Sequence, residues 1–159
     1  MSESKFKTMR HIETVRNYLG MVIKEFIDRS IRHDQSKLES PEVEAFEEYT
    51  PKLRGLTYGS EEYRACLRGM KPAIDHHTKV NSHHPEHYEN GVDGMNLFDL
   101  LEMLCDWKAA TMRHNDGDIY KSLEINKDRF KMSPQLHIIL KNTIDLIEQK
   151  EVYHKAIES

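Results

Sequence analysis

The sequence is short of cysteine, of long apolar runs and of excess positive charge. Cys66 and Cys105 are its only cysteines, far apart and without a CxxC partner. That excludes a disulfide framework and a cysteine-bound zinc, and points to a reducing compartment. No apolar run approaches the roughly 18 residues that cross a bilayer, and the opening MSESKFKTMRH lacks the apolar stretch of a secretory signal. The expectation is therefore a cytoplasmic protein with no membrane partner. A net charge of -4 provides no electrostatic footprint for duplex nucleic acid. Nothing alternates with period two over a useful length, no internal repeat stands out, and no linker is long enough to separate a pair of domains. A single domain over residues 1–159 is expected, large enough for one hydrophobic core.

What is present is helical periodicity. Ile12, Val15, Leu19, Val22, Ile23, Phe26 and Ile27 recur at three and four residues and predict a core-facing helix from about Thr8 to Ile31. A short helix is expected over His33 to Glu39, closed by Ser40-Pro41, since the residue before proline is pushed out of the helical region. The next, Glu42 to Tyr49, opens with acids as the helix dipole favours, and Thr50-Pro51 with Gly55 to Gly59 reads as loop. Ser60-Glu61-Glu62 starts a helix continuing to about Val80, with Pro72 as a kink or break. His83 to Gly94 is loop. Asn96 caps a helix from Leu97 to His114, with Asp99 supporting its first turn and Leu97, Leu100, Leu101, Leu104 and Trp107 at core spacing. Helices over Ile119 to Phe130 and Ser133 to Ile157 complete an all-α chain of six or seven helices. Ile138, Ile139, Leu146 and Ile147 exceed what one core needs and leave room for a homodimer through the last helix.

The sequence is also rich in histidine, ten in all, with five of them between residues 76 and 87. Imidazole is the commonest nitrogen ligand for Zn, Fe, Mn, Co and Ni. His33 and Asp34 are adjacent; on a helix Lys37 lies about 300° round from Asp34 and about 40° from His33, so the three share a face. His76-His77 precedes His83-His84-Pro85-Glu86-His87, and spacing favours His77 over His76 as the one that joins His83 and His84. His76 and His87 are read as supporting or exposed, and His114, His137 and His154 as surface. Asp106 lies among apolar neighbours, where an unpartnered carboxylate costs several kcal/mol and a metal ion supplies the partner. Glu102, one turn earlier, faces either a cleft or solvent.

The order His11 … His33-Asp34 … His77 … His83-His84 … Asp106 resembles the HD-domain superfamily of metal-dependent phosphohydrolases. HDQSK is similar to the His-Asp-x-Gly-Lys signature of its binuclear branch, with Ser36 in place of glycine, and the likeness runs from His11 to Asp106. Gly94-Met95-Asn96 stands where the cyclic-dinucleotide phosphodiesterases of that branch carry Gly-Tyr-Pro. The HDxSK, HHPEHY and EMxxDW segments also look like a family of small bacterial and phage proteins with no known activity. The resemblance implies an HD-like helical bundle holding one or two divalent transition-metal ions (Fe, Mn, Co, Ni or Zn). His11, His33, Asp34 and Asp106 would hold the first, and Asp34, His77, His83 and His84 the second.

It implies in turn hydrolysis of a small phosphorylated metabolite, most readily a nucleotide, with Asp34 and Lys37 as catalytic residues and Lys37, Lys79 and Arg113 as phosphate-binding cations. Two other readings share these residues. One is an HD-type di-iron oxygenase; the other is a metal-holding protein without turnover.

Overall fold

Ser2 opens the first helix: its side chain accepts the backbone N–H of Lys5, and α1 runs from Glu3 to Arg32. The computed structural model describes residues 2–53, 56, 60–112 and 117–158, with the backbone alone at 152 and 154–158. Five more helices follow, α2 (Glu42–Leu53), α3 (Glu61–Val80), α4 (Leu97–Thr111), α5 (Ile119–Arg129) and α6 (Pro134–Glu158). With no strand among the described residues, the chain is all-α, and no helix is long and apolar enough to cross a membrane. It divides into two compact units, residues 1–77 and 78–159.

In the first unit α1 begins five residues earlier than the apolar stripe predicts (Glu3 against Thr8), because nothing in SKFKT breaks a helix once Ser2 caps it. The stripe itself is a correction: α1 buries no residue, and Ile12, Val15, Leu19, Val22, Ile23 and Ile27 are exposed. Periodicity identifies the apolar face of a helix without naming what covers it.

The expected helix over His33 to Glu39 is also corrected. His33 closes α1 with its N–H on Arg29 O at 2.8 Å, and Asp34 turns into the left-handed region at φ 57°. Only a short 3-10 turn, Gln35–Leu38, follows, and it packs against α2. Aspartate is among the few side chains that accept this backbone without severe strain. α2 runs on through Thr50-Pro51 to Leu53, since proline near a helix end interrupts few backbone bonds. Ser60 caps α3 by accepting the N–H of Tyr63. A Cβ at Gly69 of α3 would collide with the Tyr49 hydroxyl of α2.

In the second unit α4, α5 and α6 enclose a core of Leu100, Met103, Leu104, Ile119, Leu123, Met132, Leu140 and Ile144, with Val92 from the preceding loop. Trp107 stacks on Phe130 at 6.1 Å. Leu97, expected in this core, is 72% exposed. Asn96 and Asp99 form a reciprocal capping box on α4. Asp99 is fully buried and also accepts from Ser82 Oγ (2.7 Å) and Tyr88 OH (2.6 Å), which ties the loop before α4 to its first turn. Asp118 caps α5, and Ser133 accepts from Leu136 N at the start of α6. Along α6, Leu140 and Ile144 are buried, whereas Ile138, Ile139 and Leu146 are exposed.

Candidate metal-binding residues

The end of α1, the 3-10 turn, the start of α2 and the end of α3 bring seven polar side chains together in the first unit. Glu42 is at their centre, with 0% of its surface exposed. One carboxylate oxygen accepts from His76 Nδ1 at 2.8 Å; the other accepts from His77 Nδ1 at 2.8 Å and from Ser36 Oγ at 3.1 Å. A buried carboxylate needs such donors to offset its lost hydration. With Nδ1 on Glu42, the buried His77 ring turns Nε2 to Asp34 Oδ1, 3.3 Å away. Of the two adjacent histidines, His77 is therefore the one that faces Asp34, while His76 shares its carboxylate from a half-exposed position.

Asp34 has a lysine and a second histidine at one of its oxygens. Lys37 Nζ lies 2.5 Å from Oδ2 and His33 Nε2 3.5 Å from the same oxygen. Burial alone would raise the Asp34 carboxyl. Contacts with His77 and Lys37, together with the Lys37 charge and the nearby His33, outweigh it and hold the group well below the usual carboxylate range. The expected shared face of His33, Asp34 and Lys37 is thus realised by a left-handed residue and a 3-10 turn, and Lys37 serves Asp34 directly.

His11 does not join this group. It is exposed on α1, and Arg32 follows it 21 positions later in the same continuous helix, which places it ~30 Å along the axis from the His33 end.

The second unit repeats the pairing of histidine with carboxylate. His83 is 2% exposed, with Nδ1 3.2 Å from Glu102 Oε1. The His84 ring lies 4.2 Å from that of His83, and the two offer ring nitrogens within 4.8 Å of each other. Glu102 therefore faces His83 rather than solvent, and Asp106 is half-buried one turn further along α4. Lys79 is exposed, its carbonyl accepting from His87 Nδ1 at 2.6 Å. Arg113 and His114 fall outside the described residues, as does the side chain of His154. His137 is not a simple surface residue: its side chain is 13% exposed, with Nε2 2.8 Å from Glu124.

Sequence reasoning passed over Glu42. Its only trace was an acid in the first turn of a helix after Ser40-Pro41, which the helix dipole already explains. The described residues include histidine and carboxylate donors, among them Asp34, His77 and His83, of the kind that could hold a divalent metal ion. No curated protein and no solved structure matches the chain. Residues 1–146 match a family model described as a family of unknown function, DUF5662, and the chain belongs to that family.

Proposed function

We propose that the chain is a metal-dependent phosphohydrolase acting on a small phosphorylated metabolite, with a nucleotide as the first candidate. The observation that carries this reading is the line Glu42–His77–Asp34, in which a fully buried carboxylate holds one ring nitrogen and the other ring nitrogen meets a second carboxylate. Histidines that bind metal are held in this way by a carboxylate behind the ring. In the proposed reaction Asp34 and His77 hold a divalent ion in the first unit, with His33 beside them. His83, His84 and Asp106 are the ligands that the HD-domain resemblance assigns in the second unit. His11 is left out, since α1 carries it away from Asp34.

A bound divalent ion supplies an activated water and positive charge for the phosphoryl oxygens. The protein's own contribution is orientation. Glu42 and Ser36 fix the His77 ring, and the left-handed backbone at Asp34 aims its carboxylate. Lys37, which pairs with Asp34, would offer its ammonium to a phosphoryl oxygen as a point charge.

The test is release of inorganic phosphate from a panel of nucleoside mono-, di- and triphosphates with Mn, Co, Ni, Zn or Fe, for the wild type and for Asp34→Ala. Hydrolysis by the wild type, lost in the variant, is expected. Equal hydrolysis by both removes the site. Oxygen consumption with iron, in place of phosphate release, transfers the same ligands to an oxygenase.

A further inference from the structure

Glu42 serves two histidines at once, and that goes beyond what holding one ligand requires. Its two oxygens lie 2.8 Å from His76 Nδ1 and 2.8 Å from His77 Nδ1. A carboxylate can only accept, so each ring donates from Nδ1. Ser36, inside the HDQSK segment, donates a third hydrogen bond to the oxygen that His77 uses. The carboxylate therefore ties together the turn after Asp34, the first residue of α2 and the last turns of α3.

We infer that Glu42 is a positioning residue that keeps the Nδ1 proton on both His76 and His77 and so directs the Nε2 atoms of both rings away from itself, that of His77 towards Asp34, as metal-directed donors. The inference rests on the metal-dependent reading above and adds to it a residue that the sequence does not mark and a second oriented imidazole, His76. The two rings differ in exposure: the His77 side chain is 5% exposed and faces Asp34, whereas that of His76 is 40% exposed. His77 is thus the inner donor, and His76 is set to meet an ion or a ligand from the solvent side.

A purely space-filling role for Glu42 makes a different prediction from a role in orienting protons. In Glu42→Gln the shape is kept, but the amide has one acceptor and one donor end. The acceptor end can satisfy one Nδ1–H. The donor end requires the other ring to accept at Nδ1 and so to carry its proton on Nε2.

The experiment is nitrogen-15 NMR of the histidine rings in the full-length, metal-free protein, followed by titration with Co or Zn. In the wild type both His76 and His77 are expected to show a protonated Nδ1. In Glu42→Gln one of the two is expected to lose that proton, with metal affinity weakened about 10- to 100-fold, the usual effect of removing a carboxylate behind a ligating histidine. An unprotonated Nδ1 on either ring of the wild type overturns the inference, and this measurement needs no variant to fold. A folded Glu42→Gln protein with both Nδ1 protons and unchanged affinity overturns it as well. Protonated Nδ1 atoms in a wild type that binds no metal uphold the ring orientation and defeat the metal-dependent reading.

Discussion

Asp34 combines a left-handed backbone, partial burial and three cationic or donating neighbours, and its carboxyl is held below the ordinary range as a result. The sign for stability follows directly. A carboxylate with a depressed folded pKa stabilises the fold above the unfolded value of about 3.9, and that contribution is lost as the pH falls from there towards the folded value. The difference in unfolding free energy between the metal-free wild type and Asp34→Asn should therefore shrink between pH 6 and about pH 3 in urea titrations. A pH-independent difference would show that His77 and Lys37 do not hold the charge.

Asp99 poses a structural question at the same scale. Fully buried and accepting from Ser82, Tyr88 and the Asn96 N–H, it is expected to cost about 3 kcal/mol on change to Ala, because hydrogen bonds to a charged group contribute about 1.5–3 kcal/mol and their donors would be stranded. Equilibrium unfolding checks this. Single residues were unevenly legible in the sequence. The density of histidines marked His77 and His83, but nothing marked Glu42, since a first-turn acid is ordinary. The resemblance placed His11 with His33, although the helix expected from Thr8 to Ile31 already separates the two by most of its own length.

At the scale of elements, capping was the most readable signal and axial position the least. Asn96 with Asp99, Ser60 and Ser133 all cap where the sequence places them. Leu97 and Leu104 lie about 20° apart around α4, so periodicity puts both in the core. Leu104 is fully buried, but Leu97 stands in the first turn, beyond the end of the packed layer, and is exposed. Leu104→Ala should cost about 2–5 kcal/mol, whereas Leu97→Ala should change unfolding by less than about 0.5 kcal/mol. Equal losses would mean that the core extends to the start of the helix. The 3-10 turn after Asp34 was not legible as such, because a four-residue segment carries too few positions for a period to distinguish it from an α-helix.

At the scale of the whole molecule, the all-α class followed from the absence of period-two segments and the spacing of apolar residues, and the six helices agree with it. The burial of α1 was not so determined; apart from the half-buried Phe26 its stripe is exposed, and an amphipathic pattern contains no information about its partner. The proposed metal dependence is tested on the whole chain. If the ion binds only the folded protein, an ion at 100 times its dissociation constant should stabilise by about 2.7 kcal/mol, and a chelator should remove that gain in a thermal melt.

The most direct measurement is metal bound per chain, by elemental analysis and by titration of the chelator-treated protein with Mn and Co, for the wild type, Asp34→Ala and His77→Ala. One or two ions on the wild type, with at least one lost in each variant, is the predicted result. No ion on the wild type, or the same content in all three proteins, would contradict the assignment of Asp34 and His77 as metal ligands.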